Sequence, residues 1–391
     1  MVTINTDLTR LLNIRTPVIA APMAGASGGA LAAQVTLGGG FGLMQAGYNG
    51  EKTFRSELEI ARKLLHEGQA KASGDIPDSG ASAKSTVDSH DEALAIGVGF
   101  LGWKLEESDG KSAALLSIAL DARVSAVWFA FGNDLGRWID LVRRTDAARA
   151  KALVDEPVKP HKTLVFVLVN SVQEARIAME WQVDVLVAQG NEAGGHGNGS
   201  APPILALVPE ILQDLTRNSG KTDQPGGKSQ LPYPPVVAAG GITTGAHVAA
   251  LLTLGASGVA LGTRFLLTPE SLYSLKQKEA LLHAHAASTV RTTAFDQVRG
   301  TLGWPSGIDG RGLRNQIVKN LESGMDLSKA RQLYAQAVKE DRPDGAIVWS
   351  GTGIGVVNEI KPAAEIVMEL HEETIARLRS TYDLLGEAAK L

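Results

Sequence analysis

The run Val183-Asp184-Val185-Leu186-Val187-Ala188-Gln189-Gly190-Asn191-Glu192-Ala193-Gly194-Gly195-His196-Gly197 decides how this chain is read. Its first half is apolar, as expected of a buried strand. Its second half opens into glycines, a glutamine and one histidine. Backbone at such a strand end can approach a flat or phosphorylated ligand, and an imidazole stands at the mouth. Two similar units follow, Val236-Val237-Ala238-Ala239-Gly240-Gly241-Ile242 and Gly258-Val259-Ala260-Leu261-Gly262-Thr263-Arg264-Phe265. Three strand-then-glycine units in a row predict the late strands of a (β/α)8 barrel, where phosphate sites form after strands seven and eight.

Upstream, the same pattern supplies five more strands. They are Pro17 to Met23, Gly40 to Gln45, Leu94 to Phe100, Val124 to Ala130 and Thr163 to Val169. Helical stretches lie between them, including Thr53 to Glu67, with Leu58, Ala61, Leu64 and Leu65 on one face. Ser171 and Glu174 have the spacing of a capping box. Residues 70–90 and 217–234 are polar and aperiodic and read as loops. A doubly wound open sheet competes for this alternation, but its glycine fingerprint usually follows the first strand. Here the glycine sites come late, so the barrel is preferred. The fold class is α/β, a barrel over residues 10–270 followed by a C-terminal helical subdomain over 271–391. That tail carries a Gly-rich stretch, Ile347 to Gly355, between its helices.

Bulk properties narrow the function. Glycine makes up 43 of 391 residues, above the usual ~7%, and the excess sits at strand ends. A net charge of −4 gives no reason to expect nucleic-acid binding. The absence of cysteine excludes disulfides, thiolate metal sites and a cysteine nucleophile. No apolar run reaches the ~18 residues of a membrane helix, and the N-terminal residues lack the apolar core of a signal peptide. The chain is expected to be cytoplasmic, or peroxisomal if the source is eukaryotic, because Ala389-Lys390-Leu391 is near the Ser-Lys-Leu address. The plainer reading of that ending is a helix that stops there.

A phosphate needs several backbone N–H donors without side chains in the way. Gly240-Gly241 and Gly262-Thr263 offer such backbone, although strand-ending glycines also serve turn geometry alone. Of eight histidines, His196 alone sits in a glycine-rich loop at a strand's C-terminal end. Its ordinary pKa of ~6.5 suits proton abstraction near neutral pH; the plainer reading is a histidine that hydrogen-bonds backbone. Glu192 reads as structural. His247, His283 and His285 show no metal-ligand spacing. Neither a Gly-x-Ser-x-Gly elbow nor a Walker loop is present.

Four motifs, in order, carry a resemblance. They are Ala21-Pro22-Met23, Gln189-Gly190-Asn191-Glu192-Ala193-Gly194-Gly195-His196, Ala239-Gly240-Gly241-Ile242 and Gly262-Thr263-Arg264-Phe265. Together they resemble the nitronate monooxygenases, FMN-dependent TIM barrels, over residues 10–270. The resemblance implies that Gly240, Gly241 and the run Ala260, Leu261, Gly262 and Thr263 hold the FMN phosphate. It implies that Gln189, Gly194 and Gly195 meet the flavin, with Pro22, Met23 and Ala24 against its ring; Met23 reads equally as barrel core. It makes His196 the catalytic base and brings the Gly-rich stretch of the tail back over the flavin. One departure stands out. Many members carry an asparagine on strand three that reaches the flavin, and Gly99 takes its place here, with Trp103 or a water to fill the gap.

The implied reaction is oxidative denitrification of alkyl nitronates, and of neutral nitroalkanes, by O2 to carbonyl compounds and nitrite. The implied partners are these small molecules, without nucleic acid or membrane, and a homo-oligomer is compatible with the reading. The nearest alternative is an FMN-dependent enoyl-acyl-carrier reductase using NAD(P)H, which shares the barrel and similar motifs. A third, non-redox reading is a phosphate-ligand binding barrel or a lyase using His196.

Overall fold

The computed structural model describes every residue except 1, 49, 74–92, 108, 154–159, 219–232 and 385–391. Most of the two polar loops read from the sequence, and the C-terminal tripeptide, therefore lie outside the described residues. Eleven strands occur among the described residues: β1 Val18–Ala20, β2 Phe41–Gln45, β3 Leu94–Leu101, β4 Val124–Ala130, β5 Leu164–Val169, β6 Val185–Gln189, β7 Gly195–Asn198, β8 Val236–Ala239, β9 Gly258–Leu261, β10 Thr289–Thr292 and β11 Ile308–Leu313. Eight of them close a barrel in the order β1-β2-β3-β4-β5-β6-β8-β9. All its pairings are parallel, and β9 returns to β1 through Val18↔Val259, Ile19↔Ala260 and Ala20↔Leu261.

Period-two alternation divides each barrel strand between two apolar layers. Ile19, Phe41, Leu43, Trp128, Phe166, Val185, Val187 and Val237 fill the barrel interior. Val18, Met44, Val98, Val127, Val165, Leu186, Val236 and Val259 face the helices. Both faces are buried, so β5 and β6 read as continuous apolar runs. Leu8, from the helix Asp7–Leu12, joins the interior cluster and is fully buried.

The helices Gly29–Leu37, Glu51–Ser73, Lys111–Asp121, Leu135–Ala152, Val172–Glu180, Ile204–Asn218 and Gly245–Thr253 follow successive barrel strands. The eighth place in the ring goes to Ala363–Asp383, which packs against Gly245–Thr253 and Gly29–Leu37. The end of the expected tail is thus a ring helix, because the closed barrel must cover its β9–β1 face. The residues between β9 and that helix form an excursion over the barrel mouth.

The excursion has helices at Leu275–Leu282, Ala294–Arg299, Gln316–Glu322 and Leu327–Lys339. It also contains β10 and β11, which the sequence reading did not anticipate. These strands pair antiparallel in the order β10-β11-β7. The presumed loop around His196 is therefore an edge strand, β7, with Gly310 opposite His196 and Arg311 opposite Gly195. Arg291 of β10 secures this sheet, donating from one guanidinium nitrogen to the Gly197 carbonyl (2.6 Å) and from Nε to Asp309 Oδ1 (2.6 Å).

Candidate active site

The C-terminal ends of the barrel strands and the excursion line a common cavity. Pro22, Met23 and Ala24 line it from beyond β1, and Gln189, Gly194, Gly195 and His196 from the β6–β7 connection. Gly240, Gly241, Ala260, Gly262 and Thr263 line it from beyond β8 and β9. Twelve of the fourteen residues singled out from the sequence therefore meet at one space.

Two do not. Leu261 is fully buried in the layer between strands and helices. Alternation turns Ala260 inward and Leu261 outward, so Leu261 offers the cavity no side chain. Gly99 does not line the cavity either. A Cβ built on it would collide with the Pro22 ring, so Pro22 occupies the space an asparagine side chain would need. Trp103, expected to fill that gap, instead lies against Trp304, with ring centroids 5.2 Å apart.

The glycine units form a cradle. Gly240 and Gly241 have φ of +115° and +70°, a left-handed backbone that glycine adopts without strain. Among the described residues, the amides of Gly241, Ile242, Gly262 and Thr263 donate to no protein acceptor. The Gly-rich stretch of the excursion closes this cradle. Gly351 N–H donates to Thr263 Oγ1 (2.9 Å), and Thr352 N–H to the Glu192 carbonyl (3.0 Å). A Cβ on Gly353 would strike the Gly241 carbonyl, and one on Gly194 the backbone of Ser350 and Gly351. Backbone amides with no protein partner beside a large cavity fit an anionic group such as a phosphate. The residues present therefore suit a phosphorylated cofactor.

His196 is held from three sides. Its Nε2 lies 2.9 Å and 3.0 Å from the two carboxylate oxygens of Asp296. Its ring stacks on Trp304 at 3.6 Å and 13°, and Trp349 leans on it at 4.9 Å. Asp296 is buried in the helix Ala294–Arg299 and also accepts from Thr301 Oγ1 (2.7 Å) and Trp304 Nε1 (3.0 Å). Burial would raise the Asp296 pKa, but the hydrogen bond and charge of His196, with the Thr301 and Trp304 donors adding to them, hold the carboxyl below its ordinary value. Burial pushes His196 below its ordinary value against the pull of Asp296, with Arg299 and Arg291 adding to the lowering.

Donation from Thr301 and Trp304 keeps Asp296 a carboxylate, and burial keeps the His196 imidazole neutral. An ionised carboxylate only accepts, so the ring proton sits on Nε2. Nδ1 then carries the lone pair, and among the described residues it has no protein partner. A neutral imidazole held by a carboxylate through one nitrogen is equipped to take a proton on the other.

The flanking residues hold this arrangement in place. Gln189 Nε2 donates to the His196 carbonyl (3.2 Å), and Asn170 donates to the Gln189 backbone oxygen (2.7 Å). Glu192 accepts the Ile204 N–H at the start of helix Ile204–Asn218 (3.0 Å), as its structural reading required. Ser171 caps its helix by accepting from Glu174 N–H, and His247 shares a capping box with Thr244. No cluster suited to a metal occurs among the described residues. Sequence reasoning missed Asp296, Trp304, Trp349 and the cavity residue Arg299. Asp296 lies 100 positions from His196, in an unremarkable helical stretch, so no local spacing could have paired them.

Comparison with known proteins agrees with this geometry. The family model described as nitronate monooxygenase matches residues 139–373. The nitronate monooxygenase npaC of Metarhizium robertsii is 34% identical, with 93% of this chain and 92% of that protein covered. A nitroalkane oxidase structure from Streptomyces ansochromogenes superposes with a TM-score of 0.68 at 25% identity, covering 96% of this chain and all of that one. FabK from Thermotoga maritima superposes at 0.71 with 23% identity, covering 98% and 100%, a likeness of fold alone.

Proposed function

The chain belongs to the nitronate monooxygenase family of oxidoreductases, and from that premise we propose that it oxidises alkyl nitronates, and neutral nitroalkanes once deprotonated, with O2 to carbonyl compounds and nitrite, using FMN. The observation that carries the proposal is the His196–Asp296 pair, which leaves Nδ1 unpartnered at a cavity with a glycine-lined anion cradle. Gly241, Gly262 and Thr263 would hold the FMN phosphate. Gln189, Gly194 and Gly195 would meet the ring system, with Pro22, Met23 and Ala24 as its wall. When bound, FMN supplies the redox chemistry; the protein supplies binding, orientation and electrostatics.

Neutral nitroalkanes are carbon acids. His196 Nδ1 takes the proton from the carbon bearing the nitro group, and the resulting charge spreads onto the nitro oxygens as the nitronate. Asp296 stabilises the imidazolium that forms and keeps the ring in one orientation. Arg299, which lines the cavity, favours the anion that results. The stacked Trp304 limits water at the imidazole, so the base is neutral and ready before substrate arrives. A substrate that enters already as nitronate does not need this step.

The test follows from that division. His196→Asn is expected to retain the flavin absorbance of the purified protein and to lower kcat/KM on a neutral nitroalkane by about 10²–10⁴, the usual contribution of general base catalysis. Preformed nitronate is expected to suffer far less. Equal losses on both substrates would remove the base assignment. Fast flavin reduction by NAD(P)H without any response to nitronates would instead favour the enoyl reductase alternative.

A further inference from the structure

Trp304 touches both members of the His196–Asp296 pair. Its ring lies nearly parallel to the imidazole, and its Nε1–H donates to Asp296 Oδ1. Few side chains could do both, because the contacts require a flat apolar face and a donor at its edge. The indole is itself braced, by Trp103 at 5.2 Å and by Phe131 edge-on at 5.5 Å. Gly303 brings the loop close, since a Cβ there would enter the Trp103 ring. The loop starts at Gly300 (φ +72°), which ends the Asp296 helix, and reaches β11 through Gly307 (φ +81°). Trp304 thus stands between the helix that carries the acid and the strand opposite the histidine.

We propose that Trp304 is a positioning residue for the base: it fixes the plane of the His196 ring and orients the Asp296 carboxylate, so that the ring proton stays on Nε2. This rests on the base role argued above. The stack also strips water from one face of the imidazole, which disfavours the charged ring. The other charges around His196 are accounted for. Asp296 and Arg299 come from the helix Ala294–Arg299, and Arg291 comes from β10, where it pairs with Asp309 of β11. β11 itself places the uncharged Gly310 opposite, while its Arg311 bonds the Asn191 carbonyl. Removal of the indole therefore leaves Asp296 as the dominant neighbour, and the base should become easier to protonate.

The experiment uses the full-length protein, with Trp304→Leu removing stack and donor and Trp304→Phe removing the donor only. Histidine ¹⁵N signals are followed against pH, with His196→Asn used to assign the resonance. Trp304→Leu is expected to raise the His196 pKa toward its ordinary value and to lower the ratio of kcat/KM for neutral nitroalkane over preformed nitronate about tenfold. Trp304→Phe, which keeps the stack and lacks the donor to Asp296, is expected to fall between the leucine variant and the unaltered protein in both titration and ratio. An unchanged His196 titration in the leucine variant, or equal loss on both substrates, would overturn the proposal. Should Trp304→Leu fail to fold, the phenylalanine variant decides: a titration and ratio identical to the unaltered protein overturn it. The titration reads Trp304 directly, whereas absence of nitronate turnover in the unaltered protein would count against the enzymatic reading instead.

Discussion

At the scale of single residues, the site depends on where one proton rests. Asp296 accepts three side-chain donors, so replacing it acts on the histidine more than on the fold. Asp296→Asn is nearly isosteric but no longer anionic, and its amide can donate as well as accept. It should lower neutral-nitroalkane kcat/KM about 10- to 100-fold, with a smaller loss on nitronates, as stopped-flow comparison of the two substrates would reveal. The pH dependence has a definite sign. Burial lowers the His196 pKa, so the working, unprotonated ring is lost only as pH falls below ~6.5. The acid limb of kcat/KM for neutral nitroalkanes should therefore lie below the ordinary histidine range, and a limb above it would contradict the buried, neutral imidazole. Of this pair, the sequence made only His196 legible, because glycine neighbours mark a ligand-facing loop. Asp296 was invisible: its significance is burial beside a ring 100 residues away, and burial of that kind leaves no local pattern.

At the scale of elements, the eight barrel strands were legible to within a few residues, because strands buried on both faces must be apolar throughout. The sheet β10-β11-β7 was not. The paired strands β7 and β11 carry glycine, arginine and asparagine at their facing positions, and Arg291 ties the sheet together through Gly197 and Asp309. The glycines after β8 and β9 could be placed at the cavity because their spacing matched late barrel strands. What could not be read was the collision of a Gly99 side chain with Pro22, since that contact joins two different strand ends. Two substitutions test the element scale. Gly353→Ala would press a methyl group on the Gly241 carbonyl. It should weaken FMN retention at least about tenfold, measured by equilibrium dialysis, while leaving the barrel's circular dichroism intact. Gly99→Asn should not create an added flavin contact; it should displace Pro22 and lower the melting temperature.

At the scale of the whole molecule, a late helix completes the ring around the barrel. The helix Ala363–Asp383 covers the seam near the first strand, so the excursion over the mouth is tied to the barrel at both ends. Ile366, Val367 and Leu370 are buried at that seam. Exposing each would cost about 1.5–3 kcal/mol, a total comparable with the ~5–15 kcal/mol that holds a typical protein folded. A chain stopped after Pro362 should therefore lose its cooperative thermal transition, and a truncated protein that melts as sharply as the full chain would show that the ring does not depend on its last helix. Hydropathy alone placed this helix in a separate tail, because position in sequence says nothing about which seam of a closed barrel is left open. No helix among the described residues is long and apolar enough to cross a membrane.

On the proposed function, the cavity lined by His196 would bring a bound flavin and a nitronate together. The most direct measurement is the visible spectrum of the purified protein under anaerobic conditions during addition of a preformed alkyl nitronate, with no NAD(P)H present. The flavin band is expected to lose oxidised absorbance on addition of the nitronate, and to regain it with release of nitrite when oxygen is admitted. A flavin band indifferent to nitronates, or a protein that holds no flavin after incubation with FMN, would contradict it.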